Sequence, residues 1–188
     1  MGDHVLFFYG TLMAPQVLHN VIHGSSTPEP WQKAMVSFQP AILHGYRRHR
    51  VQGADYPGIV AVTETDEKIS ASNASSSARM SVLGILVSGL TDGDVHRLDL
   101  FEGGEYAREN VTVRKLRDSH GGSGESGMES QWSNVLGAAC QADGGEEVSA
   151  VTYVWISGVD RLEEAEWDFE SFKKDKLQWW AGAKESEW

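Results

Sequence analysis

The chain of 188 residues carries 16 Lys and Arg against 27 Asp and Glu, which gives a formal net charge of −11 at neutral pH. This length suits one domain over residues 1–188, and a 40% hydrophobic content suffices for a core and excludes wholesale disorder. So acidic a chain argues against nucleic acid or a membrane surface as a partner. No stretch approaches 18 apolar residues, and the single Cys140 allows no intrachain disulfide, so we expect a cytoplasmic protein.

Six strands and three helices are predicted from the apolar patterns and turn signals. In chain order, we expect strands over 5–9, 35–51, 59–63, 81–90, 106–116 and 149–156, and helices over 15–23, 92–102 and 168–180. Pro40 should interrupt the second strand, while Thr91 or Asp92 should cap the second helix. The strands outnumber the helices without regular alternation. This predicts an α+β fold, a small mixed β-barrel or strongly curved sheet with flanking helices.

Two segments, at about 65–80 and 117–147, are expected to be mobile loops because they are rich in small and polar residues. We interpret the second as a disordered insertion at a hairpin tip. Cys140 lies in it without the positive neighbour that makes a thiol nucleophilic. The last helix carries aromatic residues on one side, which predicts core packing or a lid, with a peptide groove as the alternative: Phe169, Phe172, Trp179 and Trp180.

A glycine-containing turn connects the first strand to the first helix, with the sequence Tyr9-Gly10-Thr11-Leu12-Met13-Ala14-Pro15. In such a turn, successive backbone N–H groups can converge on an anion, and the helix dipole favours negative charge. No Gly-Lys-Ser/Thr follows, so this is not a Walker loop and a nucleotide phosphate is not expected. A carboxylate is the better candidate ligand, and a plain structural turn is the alternative.

Glu102 is the candidate acid–base residue. It follows Val95 by seven positions and Leu98 by four, so it shares the apolar face of the predicted helix. Burial there raises the pKa of a carboxyl group, and the negative end of the helix dipole acts in the same direction. Such a group is able to act as a general base near neutral pH. Asp99, at the rim of the face, ranks second, and a solvent-exposed helix end is the alternative for Glu102.

Two other patterns give weaker indications. His19 and His23 are four positions apart, as in a zinc protease, but Asn20 stands where that motif needs Glu and no third ligand is evident. We therefore expect surface histidines and no metal. The basic run Arg47-Arg48-His49-Arg50 is either a solvated strand end or a patch that attracts an acidic substrate.

Four motifs in order make the chain resemble the γ-glutamylcyclotransferase superfamily. The chain is most similar to the branch of avirulence-induced-gene-like and γ-glutamylamine cyclotransferase proteins, over most of its length outside the two loops. The motifs are Tyr9-Gly10-Thr11-Leu12, then Tyr56-Pro57-Gly58-Ile59, then Leu98-Asp99-x-x-Glu102-Gly103-x-x-Tyr106-x-Arg108-x-x-Val111, and finally Tyr153-Val154-Trp155 with Glu166-Trp167-Asp168-Phe169-Glu170-x-Phe172.

This resemblance implies a fold, a site and a reaction. The implied fold is a small β-barrel whose cavity binds the α-carboxylate of a γ-glutamyl group at the turn over 9–14. Glu102 is the implied acid–base carboxylate, and Tyr106 is assigned to the substrate site through its motif. The implied reaction forms 5-oxoproline from a small γ-glutamyl amine or amino acid, without metal or cofactor. A non-catalytic module that binds a small carboxylate, and a related acyl-transfer or lyase step on a biosynthetic intermediate, are the alternatives.

Overall fold

The computed structural model describes residues 2–63, 80–116 and 145–188. The described strands are β1 (His4–Phe8), β2 (Ser37–His44), β3 (Tyr46–Arg50), β4 (Pro57–Ala61), β5 (Ser81–Leu90), β6 (Tyr106–Lys115) and β7 (Glu147–Trp155). The described helices are α1 (Pro15–His23), α2 (Pro30–Lys33), α3 (Asp92–Glu102), α4 (Phe169–Asp175) and α5 (Leu177–Gly182). None of the helices in these ranges is long and apolar enough to cross a membrane.

Five strands close into a barrel in the order β1-β5-β2-β6-β7, and β3 pairs with β4 in a separate two-stranded sheet. Strand β1 pairs antiparallel with β5 and parallel with β7, where Leu6 faces Val151. This parallel contact closes the barrel and makes it mixed. The prediction of an α+β fold, a small mixed β-barrel with flanking helices, is confirmed.

Strand β1 is buried on both faces, which explains its continuous apolar sequence. Successive side chains of a strand point to opposite faces, and here they enter two different clusters. Leu6 and Phe8 pack with helical residues such as Val17. Phe7 packs with strand residues such as Val113. The first strand therefore joins the barrel interior to the helical layer.

Helix α3 begins and ends where its sequence predicts. The Thr91 hydroxyl accepts from the Asp94 N–H at 3.2 Å, and the Asp94 carboxylate accepts from the Thr91 N–H at 2.8 Å, which forms a capping box. Gly103 ends the helix at φ 69°, a conformation that glycine adopts without steric cost. The predicted helix over 92–102 is confirmed, and its last residue is Glu102.

The break predicted at Pro40 lies elsewhere. Pro40 is inside β2, opposite Ile85, and its carbonyl accepts from the Leu116 N–H at 2.9 Å. In a strand, the nitrogen and the carbonyl of one residue point to the same side. The missing N–H therefore faces the end of the short β2–β6 ladder, where it costs one hydrogen bond at most. The chain turns instead at Gly45, with φ 81°.

The helix predicted over 168–180 is two helices. Lys176, at φ −125°, separates α4 from α5. Phe169, Phe172 and Trp180 are buried, but Trp179 is 53% exposed, so its prediction as part of the buried face is wrong. The spacing that places the four aromatic residues on one side assumes a single helix, and the break at Lys176 interrupts that spacing before Trp179.

The two predicted loops lie almost entirely outside the described residues. Cys140 also lies outside them. At the end of the second loop, Glu146 accepts from the Lys115 N–H at 2.9 Å, and β7 begins at Glu147. The strand pairing therefore starts slightly before the boundary expected at residue 147.

Candidate functional site

The turn between β1 and α1 forms one wall of the candidate site. Residues Thr11–Met13 make a 3-10 turn in which the Met13 N–H donates to the Gly10 carbonyl at 3.0 Å. The Ala14 N–H donates to the Thr11 carbonyl at 3.2 Å. Because the first N–H groups of a helical turn have no acceptor within it, those of Gly10, Thr11 and Leu12 are the donors that a ligand would meet.

Gly10 allows this turn to approach the β3–β4 sheet. A Cβ atom at residue 10 would lie 2.9 Å from Cδ of Pro57, closer than real Cβ contacts. The close approach of Pro57 therefore requires a residue without a Cβ atom at this position. The Tyr9-Gly10 and Tyr56-Pro57 motifs are therefore in direct contact.

Glu102 faces the same pocket from the end of α3. Its side chain is partly buried and follows the buried Val95 and Leu98 on one helix face. Within the described part of the chain, the Glu102 carboxylate has no salt-bridge or hydrogen-bond partner. Burial, and secondly the nearby Asp99 carboxylate, raise the pKa of Glu102 from 4.5 to about 8.

The turn and Glu102 line one pocket. Its lining comes from β1, the turn, the start of β4, the end of α3 and two strand tyrosines: Phe7, Phe8, Tyr9, Gly10, Thr11, Leu12, Tyr56, Pro57, Glu102, Tyr106 and Tyr153. Its empty space, the open mouth included, is ≈ 300 Å³, which restricts it to a small molecule. Among these lining residues there is no Lys, Arg or His, so an anion here would depend on backbone N–H groups.

Four tyrosine hydroxyls surround the pocket and bond to other protein groups. The Tyr9 hydroxyl donates to the Tyr153 carbonyl at 2.6 Å, and the Tyr106 hydroxyl donates to the Pro57 carbonyl at 2.7 Å. The Tyr56 hydroxyl donates to the Glu105 carboxylate, which is outside the pocket lining, at 3.1 Å. Burial raises the pKa of each of these phenols, so they stay neutral while Glu102 titrates.

Asp99, the second candidate carboxylate, is already engaged. It accepts from the Tyr153 hydroxyl at 2.9 Å, and the Arg108 guanidinium lies 3.4 Å away. Glu102 has no such partner and lines the pocket, whereas Asp99 does not. The geometry therefore favours Glu102 over Asp99 for proton transfer.

Residues 6–169 match the protein family described as gamma-glutamyl cyclotransferase, AIG2-like. The chain belongs to this family. Protein AIG2 C of Arabidopsis thaliana is 26% identical over 171 residues, which cover 91% of this chain and 73% of that protein. AIG2-like protein A of the same species is 29% identical over 171 residues, with the same two coverages of 91% and 73%.

The fold is also similar to a solution structure of an Arabidopsis thaliana protein. The TM-score is 0.52 at 24% sequence identity, over 93% of this chain and 75% of the other. The family resemblance seen in the four motifs is therefore confirmed, and the barrel is the fold that this resemblance implied.

In this cyclotransferase-family chain, the structure brings together most of the residues predicted for the site. Those that line the pocket are Tyr9, Gly10, Thr11, Leu12, Glu102 and Tyr106. Met13 and Ala14 do not line it: they are buried in the helical cluster, and their N–H groups bond within the turn. The side chains at these two positions support the turn from behind.

Five lining residues were absent from the predicted site: Phe7, Phe8, Tyr56, Pro57 and Tyr153. Tyr56, Pro57 and Tyr153 belong to the motifs of the family resemblance, so a signal for them was present. No periodicity along one element could place Tyr153 beside Tyr9, because the two residues are 144 positions apart.

The two histidines are not a surface pair. His19 is buried and stacks on His23 at 5.5 Å, so the expectation of surface histidines is wrong for His19. Helix α1 is buried over six consecutive residues, 17–22, so His19 lies in the core as well, where it contacts Phe38 edge-on. Within residues 2–63, 80–116 and 145–188, there is no group of three or more side chains suited to hold a metal ion.

The basic run on β3 is not a solvated strand end, because it pairs with the acidic segment 163–166. Arg47 donates to the Glu164 carbonyl at 3.0 Å, and Arg50 lies 3.5 Å from the Glu163 carboxylate. The Arg48 side chain is far less exposed than that of Arg50, and it lies 3.0 Å from a Glu166 oxygen. These contacts hold the acidic segment against β3.

Proposed function

We propose that this chain cyclises a γ-glutamyl amine or γ-glutamyl amino acid to 5-oxoproline and releases the free amine. The observation that carries the proposal is the shared pocket of the Glu102 carboxyl group and the Gly10–Leu12 turn. Membership of the gamma-glutamyl cyclotransferase, AIG2-like family supports this reaction class. The single cysteine supports a reducing compartment, the cytoplasm, as its location.

The turn would hold the α-carboxylate of the substrate. Backbone N–H groups at the start of a helical turn point at an anion and carry partial positive charge. The N–H groups of Gly10, Thr11 and Leu12 are suited to this role because the bonds within the turn come from the two following residues. This binding would fix the γ-glutamyl chain with its α-ammonium group close to Glu102.

Glu102 would move the proton in both directions. Its carboxylate takes a proton from the substrate α-ammonium group, and the freed amine attacks the γ-carbonyl carbon to form the new C–N bond of the five-membered ring. The bond between that carbon and the departing nitrogen then breaks, and Glu102 returns the proton to the leaving amine. The ring nitrogen loses its second proton as that bond breaks, and the leaving amine takes it up as well. The products are 5-oxoproline and the ammonium form of the amine, so atoms and charge balance with no metal or cofactor in the step.

The surroundings of Glu102 suit this role. A pKa of about 8 keeps the carboxyl group able to give and to take a proton near neutral pH. A bound α-ammonium group would favour the carboxylate form, because an opposite charge nearby lowers the pKa of an acid. The attack is intramolecular, so correct orientation of the two reacting groups supplies much of the acceleration.

The test is to incubate the purified chain with a panel of γ-glutamyl amines and amino acids and to measure 5-oxoproline by mass spectrometry. Glu102→Gln should lose at least about a hundredfold in rate, the typical contribution of a positioned acid or base. Glu164→Gln removes the same charge from an exposed side chain and is the matched control.

Absence of 5-oxoproline from native protein across the whole panel would refute the proposal, and so would equal rates for native protein and Glu102→Gln. Stoichiometric binding of 5-oxoproline by calorimetry, without turnover of any panel compound, would instead identify a carboxylate-binding module.

A further inference from the structure

Arg48 contacts the candidate site from outside the pocket. Its Nη1 donates to the Tyr9 carbonyl at 2.9 Å and to the Leu83 carbonyl at 3.3 Å. Its Nη2 donates to Glu166 at 3.0 Å, and the guanidinium lies 5.7 Å from the centre of the Trp167 ring. The Arg48 side chain is only 10% exposed, so these contacts replace most of its hydration.

The Tyr9 carbonyl belongs to the same peptide group as the Gly10 N–H. This peptide is trans, so its carbonyl and its N–H point in opposite directions. A guanidinium on the carbonyl therefore fixes the plane of the peptide and directs the Gly10 N–H away from Arg48. Gly10 needs such a restraint because glycine leaves the backbone on either side of it freer to rotate than any other residue does.

The positive charge of Arg48 also acts on this peptide. A cation that bonds to an amide carbonyl polarises the amide and makes its N–H a stronger donor. None of the described residues that line the pocket is cationic, so Arg48 acts on the turn through a peptide group and not by direct contact. Glu166, whose side chain is 62% exposed, balances the charge on the far side of Arg48.

We propose that Arg48 is a positioning residue for the anion-binding turn: by holding the Tyr9 carbonyl, it orients and polarises the peptide that presents the Gly10 N–H to the substrate carboxylate. This inference rests on the proposed function for its ligand. Arg48, one arginine of the basic run, thus acts on the site through the Tyr9 carbonyl, from outside the pocket.

The test compares Arg48→Gln with Arg50→Gln. Arg50 lies on the same strand two positions on and faces Glu163, so its replacement removes the same charge without touching Tyr9. With a γ-glutamyl compound that the native protein turns over, Arg48→Gln should raise KM about tenfold and change kcat less than about twofold. The reason is that the turn binds the substrate α-carboxylate equally well in the ground state and in the transition state. Arg50→Gln should keep the native KM.

Two further measurements separate positioning from a general structural role. Arg48→Lys restores the charge with a single donor group and should recover part of the lost affinity. In NMR spectra of the ligand-free protein, the Gly10 amide signal should move in Arg48→Gln and stay in place in Arg50→Gln. This second readout does not depend on turnover, so it tests the role of Arg48 even where the proposed reaction fails.

A native KM together with a native Gly10 amide signal in folded Arg48→Gln would overturn the inference. An equal rise of KM in Arg48→Gln and Arg50→Gln would overturn it as well, because the effect would then be one of charge alone. If Arg48→Gln does not fold, the KM and the Gly10 amide signal of Arg48→Lys test the inference instead. A raised KM with a shifted Gly10 signal supports the inference, and native values of both refute it.

Discussion

Replacement of Glu102 by Gln should change how the stability of the protein depends on pH. Folding brings the Glu102 carboxyl group out of water and close to Asp99, and this raises its pKa from 4.5 to about 8. Gln has nearly the same shape and no charge, so it mimics protonated Glu102 at every pH. The difference between the native protein and the variant therefore isolates the ionisation of one side chain.

The sign follows from proton linkage. Between these two pKa values the folded protein holds a proton on Glu102 that the unfolded chain has released, so the free energy of unfolding falls as the pH rises. One pKa unit corresponds to about 1.4 kcal/mol, so ionisation of Glu102 costs about 5 kcal/mol more in the folded protein than in the unfolded chain. Below pH 4.5, the two proteins should be equally stable. Above a pH of about 8, Glu102→Gln should be the more stable by an amount that approaches this cost.

Urea unfolding from about pH 5 to about pH 9 provides the assay, with the free energy of unfolding extrapolated to water at each pH. Glu164→Gln is the control, because its exposed carboxyl group is hydrated in both the folded and the unfolded chain. A constant difference between Glu102→Gln and the native protein across this range would show that folding does not shield the Glu102 carboxyl group from water, and would refute the reasoning.

Three further outcomes are expected. The kcat/KM of the native protein should rise with pH toward a plateau above about 8, since the free protein needs the Glu102 carboxylate as its base, and a pH–rate profile measures this. Gly10→Ala should lower stability by about 1–3 kcal/mol and abolish turnover, because the new Cβ atom would lie 2.9 Å from Cδ of Pro57 and displace the turn; urea unfolding and a turnover assay check both effects. Thr91→Ala should lower the free energy of unfolding by about 0.5–2 kcal/mol, because the Asp94 N–H loses its acceptor at the start of α3, while the folded fraction keeps its activity.

Much of the fold could be predicted because local patterns report which face of an element is buried. The apolar run of β1 reflects burial on both faces, with Leu6 and Phe7 in different clusters. The limits of α3 follow from Thr91 and Gly103, which act within one turn of the helix. Such signals can be read from the sequence because each is carried by residues only a few positions apart, whichever distant residues they contact.

The errors arise where tertiary contacts override the local pattern. The aromatic spacing over 168–180 suits one straight helix, but the chain changes direction at Lys176. After this change, Trp180 is buried and its indole N–H lies 3.3 Å from the Asp55 carboxylate. Asp55 is 125 positions away, so nothing within the helix indicates this contact.

The amino-acid sequence by itself determined the two halves of the candidate site, the turn after β1 and Glu102 on the apolar face of α3, because each half is encoded within one or two turns of chain. The tertiary structure decided that these halves share a pocket, that Tyr153 supports Tyr9, and that Arg48 holds the Tyr9 carbonyl from 39 positions away. Periodicity specifies which side of an element avoids water, but only closure of the barrel specifies which distant residue covers that side.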